Sequence, residues 1–297
     1  MGPPTEKVLV MPTASQQRRA IFSLTGPAYL WLLVTILLPL SAMLCFSFLT
    51  VSPFSGQQPA WTLEQYRTFF TQDVYMVNAW RSIGLATRVT LLCLLFGYPA
   101  AFILARTIKG RWREAMLLLI VLPFWSNGLV RTFSWTMVLT DYGIIGRALH
   151  AVWPGAPSIE IMNSYAAILI GLVHAYLPYM VLTCYVALQG INMSLTEAAR
   201  SLGASHLQVF RRIILPLSLP GVVAGCLLVF VPVLGSFMEP RILGGTQAIM
   251  LGTLIENQFT ASFNWPLGAA LGFVMLGIVF VIMAVFYPLA RKHLSVS

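Results

Sequence analysis

The chain has 297 residues, of which 58% are hydrophobic and 9% charged, with 18 Lys and Arg against 9 Asp and Glu. This composition excludes an ordinary soluble domain and assigns most of the chain to a bilayer. The net charge of +9 raises nucleic-acid binding, but the basic residues sit in short segments between apolar runs and not on one soluble face, so no nucleic-acid partner is expected.

Residues 1–25 read as a tail carrying Lys7, Arg18 and Arg19. The first apolar run, Pro27 to Leu49, is too long for the core of a signal peptide and shows no small-residue cleavage site, so it reads as a retained anchor. Thr50 to Arg81 begins with Pro53, Gly56 and Pro59, and then places Leu63, Tyr66, Phe69 and Phe70 at helical spacing, which predicts a small surface helix. Five more apolar runs follow, at Ser82 to Ala105, Ala115 to Leu139, Ser164 to Ala187, Leu217 to Phe237 and Pro266 to Ala290. Each of the six can cross about 30 Å of hydrocarbon as a helix. Pro99, Pro123, Pro178 and Pro232 interrupt four of them, which a lipid-embedded helix tolerates when a neighbour satisfies the freed carbonyl. The predicted fold is all-α, a polytopic membrane protein of six transmembrane helices in one domain.

Twelve of the eighteen basic residues fall in the tail, the second-to-third connection, the fourth-to-fifth connection and the carboxyl terminus. Lys and Arg in short loops stay on the cytoplasmic side, so both termini are expected there, with membrane lipid surrounding the spans. Cys45, Cys93, Cys184 and Cys226 lie within the runs, and no disulfide is expected. The histidines His150, His174, His206 and His293 are scattered, and neither metal nor cofactor is expected.

Between the fourth and fifth runs, local sequence rules are most explicit. Ser194, Leu195, Thr196 and Glu197 fit a capping box and predict a short helix that starts at Ser194. Gly203 supplies a residue that turns left-handed at a helix end without a side-chain penalty. Ser205 to Gln208 fits a second box, opening a helix that carries Val209, Ile213 and Ile214 until Pro216 marks entry to the fifth run. A helix-turn-helix of this kind resembles a DNA reader, but about 28 residues trapped between two spans cannot build a supporting domain. A second reading makes the unit a plain cap on the bundle, with Arg211 and Arg212 near lipid phosphates.

The third reading is a resemblance. Glu197-Ala198-Ala199, three residues, Gly203, nine residues, Ile213, one residue, Leu215-Pro216 resembles the EAA loop of permease subunits of bacterial ATP-binding-cassette importers. Over residues 24 to 290 the chain is also similar to spermidine/putrescine permeases, on Phe230 to Phe237, Pro240 to Gly245, Asn264-Trp265-Pro266, Leu129 to Thr132 with Trp135, and His174 to Met180. Sister branches carry opines, aminoethylphosphonate and ferric iron. The resemblance implies a type I importer permease fold like that of the methionine importer, spanning residues 26–297 with a cytoplasmic coupling loop at 188–216. It also implies the partners: two copies of a cytoplasmic ATPase, a second homologous permease making a heterodimer, and a periplasmic solute-binding protein in a bacterial inner membrane. Ser194, Glu197, Ala198, Ala199, Arg200, Gly203, Ile213 and Pro216 are then the ATPase-coupling residues.

Energy logic runs parallel to the resemblance. The chain has no Gly-x-x-x-x-Gly-Lys-Ser/Thr phosphate loop, so it lacks that device for ATP hydrolysis. A proton- or ion-coupled secondary carrier is the alternative, but no carboxylate falls at mid-span to couple an ion. A membrane-embedded enzyme would need paired carboxylates, a histidine cluster or a serine with its base, and no catalytic residue is assigned.

Pathway candidates are Arg131, Trp135, Asp141, Tyr179 and Glu239. Arg131 is costly in lipid, and either faces the bundle interior or pairs with helix-end carbonyls or with Asp141. Trp135 and Tyr179 either enclose an amine through cation–π attraction or anchor at the interface. Glu239 is the acid best placed for a polycation, but Arg241 lies two residues away.

Overall fold

The computed structural model describes residues 14–153, 161–245 and 248–294. Most of the predicted tail, parts of the segments 141–163 and 238–265, and the side chains of Arg291 and Lys292 therefore lie outside the described residues. In chain order the helices are α1 (Ala14–Ser47), α2 (Glu64–Thr71), α3 (Asp73–Arg106), α4 (Arg111–Val121), α5 (Gly128–Leu139), α6 (Ile144–Val152), α7 (Tyr165–Gln189), α8 (Met193–Ser201), α9 (His206–Val209), α10 (Leu215–Leu234), α11 (Met238–Leu243), α12 (Leu251–Thr260) and α13 (Trp265–Leu294).

Among the described residues, five helices are long and apolar enough to cross a membrane, and a bent pair would make a sixth crossing if its two arms form one span. The bent pair corrects the expectation of one continuous helix from Ala115 to Leu139. Its two arms, 111–125 and 128–152, meet at 96°. Pro123 stands at the start of a tight turn at Leu122–Trp125, where its missing N–H and ring stop the α-helix. Asn127 then caps a new helix, its side chain accepting from the Leu129 amide at 2.8 Å. Pro39, Pro99, Pro178 and Pro232 lie inside α1, α3, α7 and α10 without ending them. Two helices begin earlier than their apolar runs. α3 opens at Asp73, whose charge suits a helix N-terminus, and α1 reaches back to Ala14 into the predicted tail.

The core is a three-helix packing of α3, α7 and α10, whose mutual interfaces are the most extensive in the molecule. Val89 and Cys93 of α3, Leu172, Met180 and Cys184 of α7 and Val229 of α10 are all fully enclosed there. Small residues set the spacing. A methyl added at Gly221 of α10 would lie 2.3 Å from the Ala187 Cβ and 2.8 Å from the Thr183 carbonyl oxygen, both on α7. A second cluster joins Phe69 of α2, Tyr75 and Ala79 of α3, Leu251 of α12 and Leu267 and Leu271 of α13. The Leu251 amide donates to Ser82 Oγ at 2.9 Å and ties α12 to α3. α1 packs chiefly on α13 and leaves Leu30, Trp31, Leu37 and Leu38 more than half exposed, as a lipid-facing helix requires.

Candidate coupling loop and translocation pathway

Arg106, the last residue of α3, holds the corner where α7 gives way to α8. Its guanidinium donates to the Ile191 carbonyl at 3.4 Å and lies against the Met193 sulfur. Helix α8 is capped by Asn192, whose side chain accepts from the Ser194 amide at 3.0 Å. The predicted box with Ser194 as cap is therefore corrected by two residues: Ser194 lies inside the helix, and Asn192, a cap residue of equal strength, takes its place. Substituting Asn192→Ala should cost about 1 kcal/mol of stability, whereas Ser194→Ala should be nearly neutral, a contrast readable from thermal midpoints in detergent.

The far end of α8 is a Schellman closure. The Ala204 amide donates to the Ala199 carbonyl at 3.0 Å and the Gly203 amide to the Arg200 carbonyl at 2.8 Å. Gly203 takes φ +85°, as its left-handed role requires. The second box is present as read, with the Gln208 amide donating to Ser205 Oγ at 3.3 Å and the Ser205 amide to Gln208 Oε1 at 2.8 Å. Arg200 donates to His206 Nδ1 at 2.9 Å and so bridges α8 to α9.

From His206 the chain runs as one helical rod through α9 and α10 to Leu234. Pro216 does not break it, because a wide π turn over Phe210–Ile214 precedes the proline, closed by the Leu215 amide on the Phe210 carbonyl. The widened turn gives the ring room and shifts the hydrogen-bond register. Ile213 packs on the main core, and the Phe210 ring sits 6.2 Å from Tyr98 and 5.9 Å from Phe102 of α3. Tyr98 and Ser218 share a hydrogen bond of 2.9 Å. The loop is thus bonded to α3, α7 and α10 together.

Exposure separates the two alanines. Ala199 turns inward beside Ala204, against the core, and Thr196 is buried. Glu197, Ala198, Arg200 and Ser194 face outward. Sequence reasoning missed three apolar companions on this outer surface: Leu195, Leu202 and Leu207 are 49%, 89% and 65% exposed. Their signal was present, because a leucine within a polar capping motif has no burial role of its own.

The second site is a cavity of about 310 Å³ inside the bend, lined by Pro123, Ser126, Val130, Arg131, Ser134, Trp135, Val138 and His174. Arg131 reaches back across the bend, donating to the Pro123 carbonyl at 3.2 Å. Its charge thereby meets the carbonyl end of the broken helix, the partner that a cation in a span requires. Trp135 Nε1 donates to His174 Nδ1 at 3.3 Å, with the rings edge to face at 5.3 Å. Tyr179 lies outside the lining but beside it, edge to face with Phe124 at 4.6 Å and 5.9 Å from Tyr176. Helices α5, α7 and α11, which carry Arg131, Tyr179 and Glu239, pack against one another.

Asp141 does not join them. It lies past the end of α5, 3.4 Å from His150 Nε2. Glu239 accepts from Ser236, while Arg241 pairs with Glu256 of α12, so the nearby arginine does not neutralise Glu239.

The spermidine/putrescine transport system permease protein PotB of Haemophilus influenzae is 37% identical over 265 residues, covering 89% of this chain and 92% of that protein. PotB of Escherichia coli strain K12 is 37% identical over 267 residues, covering 89% and 95%. Among solved structures, a bacterial ABC transporter involved in the import of the acidic polysaccharide alginate superposes with TM-score 0.70 at 18% identity, covering 93% of this chain and 96% of that one. The MetNI methionine ABC transporter, in an inward-facing conformation, superposes with TM-score 0.56 at 19% identity, covering 73% and 95%. The fold is thus that of ABC importer permeases, a multi-pass protein of the inner membrane. Residues 97–295, which take in the coupling loop and the bent-span cavity, match the family of binding-protein-dependent transport system inner membrane components, and the chain belongs to it.

Proposed function

We propose that the chain forms half of the translocation pathway of an importer for a polyamine such as spermidine or putrescine, driven by ATP hydrolysis on a separate subunit. The observation that carries this reading is the outer surface of α8: Glu197, Ala198, Leu195 and Leu202 stand exposed on a helix closed at both ends and bonded to three spans. A short rigid helix with an apolar and acidic outer face suits docking into a groove of a partner protein. Two ATPase copies closing on ATP would push this helix, and because Phe210, Tyr98 and Ser218 lock the loop to the bundle, the push would move the bundle as a body. A second homologous permease completes the pathway, a periplasmic binding protein delivers solute, and both termini face the cytoplasm.

Polyamine cargo is supported by the curated relatives and by Tyr176 and Tyr179 of α7 with Glu239 of the adjoining α11, whose ring faces and carboxylate attract amines. Arg131 in the neighbouring cavity favours a second reading, an anionic or zwitterionic solute. The test is reconstitution of this chain with its ATPase, second permease and binding protein, followed by uptake of labelled spermidine, putrescine and aminoethylphosphonate. ATP-dependent uptake of either polyamine is expected. Uptake of the phosphonate alone would move the cargo to the second reading, and uptake under an ion gradient without ATP would replace the importer by a secondary carrier.

A further inference from the structure

Helix α3 carries a second basic site that neither the coupling loop nor the bent-span cavity uses. A cavity of about 520 Å³ is lined by Val77, Trp80, Arg81, Gly84, Arg88, Tyr165 and Met250. Arg81 and Arg88 are two helical turns apart on one face, both exposed. Neither forms an ion pair among the described residues. The Arg88 guanidinium lies 5.2 Å from the centre of the Tyr165 ring. The Tyr165 hydroxyl is buried and has no hydrogen-bond partner among the described residues. Gly84, between the arginines, has nothing within 4 Å of where a Cβ would stand, so the cavity is open at its middle.

Depth decides what this site can hold. Arg106 marks the coupling-loop face of the membrane, and at about 1.5 Å per residue the Arg88 and Arg81 backbones stand about 27 and 37 Å from it along the helix. Side chains on a helix point toward its N-terminus, so both guanidinium groups extend further from the loop. They reach the boundary between hydrocarbon, about 30 Å thick, and the headgroups of the opposite leaflet. Trp80, 67% exposed at the same level, fits an interfacial aromatic. Two unpaired guanidinium groups and an orphan phenol at headgroup depth match one chemistry, a phosphate oxyanion able to accept several charge-assisted hydrogen bonds.

We propose that this pocket binds the phosphate of an anionic phospholipid in the leaflet remote from the coupling loop. The headgroup bridges Arg81 and Arg88 beside Trp80, accepts from Tyr165, and its acyl chains run toward the bilayer centre along Leu91 and Leu95, which are 59% and 63% exposed on the Arg88 face of α3. The lipid supplies the counter-charge that no described residue places beside Arg88.

The test is native mass spectrometry of the full chain released from nanodiscs of phosphatidylcholine with or without phosphatidylglycerol. Wild-type protein should retain one phosphatidylglycerol that survives delipidation, and no phosphatidylcholine at that stage. Arg81→Gln with Arg88→Gln should lower that occupancy about tenfold or more. Arg81→Gln alone, at an exposed position, should lower it several-fold and serves if the double variant does not fold. Equal occupancy in wild type and variants, or equal retention of phosphatidylcholine, would overturn the proposal. So would complete displacement of the lipid by millimolar inorganic phosphate, which would make the site one for free anion. Efficient crosslinking of Arg88→Cys to a second permease would also overturn it, because protein would then fill the pocket.

Discussion

Gly203→Pro should abolish ATP-driven uptake, by a factor of at least about 100, while leaving the chain inserted in the membrane. Proline is fixed near φ −65°, whereas this position holds φ +85°, and the amide that proline lacks is the one donating to the Arg200 carbonyl. The end of α8 would have to unwind, at a cost of about 3 kcal/mol or more. Because Gly203 is exposed on a surface loop, that cost falls on the coupling helix and not on the α3, α7 and α10 core. Glu197→Lys separates shape from charge at the same site. Glu197 is exposed, so reversal should leave the thermal midpoint unchanged and strongly reduce solute-stimulated ATP hydrolysis. Wild-type uptake in both variants would refute the assignment of α8 as the coupling helix.

Gly221→Leu should act by the opposite route, removing folded protein altogether. The added Cβ meets the Ala187 Cβ at 2.3 Å and the Thr183 carbonyl oxygen at 2.8 Å, and the second of these is backbone, which cannot rotate away. α7 and α10 would have to separate along one of the largest interfaces of the bundle, and overpacking of this kind costs about 1–3 kcal/mol or more. Membrane fractions should contain little monodisperse protein by size-exclusion chromatography. Gly272→Leu on α13, where nothing stands within 4 Å of the Cβ position, should elute as wild type. Normal yield and thermal midpoint for Gly221→Leu would mean that the α7–α10 packing is looser than described.

The coupling loop shows where local rules succeed and where they stop. Ser205 with Gln208 and the left-handed Gly203 were legible because each depends on residues within one helical turn. The start of α8 was misplaced because Asn192 and Ser194 both carry capping side chains two residues apart. What favours Asn192 is the corner before it, with Ile191 buried and its carbonyl held by Arg106, eighty-five residues earlier. The helical rod through Pro216 was not legible either, since the π turn that accommodates the ring is anchored by Phe210 against Tyr98 and Phe102. The exposure of Glu197, Leu195 and Leu202 likewise depends on which residues of α8 meet the bundle.

At the bent span, Pro123 marked the position of a break but not its 96° angle, and Arg131 showed a need for a partner without naming it. The structure supplies the Pro123 carbonyl, and places Asp141 with His150 instead. By itself the sequence determined the all-α class, five of the crossing-length helices and the second capping box of the loop. Each of these rests on stretch length against hydrocarbon thickness or on hydrogen bonds within a turn, quantities the local chain fixes alone. Only the tertiary structure decided the break in the third apolar run, the packing together of α5, α7 and α11 that carry Arg131, Tyr179 and Glu239, and the open basic pocket on α3. Those depend on which helix faces meet across the bundle, and in lipid that choice is made by close packing of small residues such as Gly221 and by pairing of buried polar groups, neither of which a span's apolar pattern encodes.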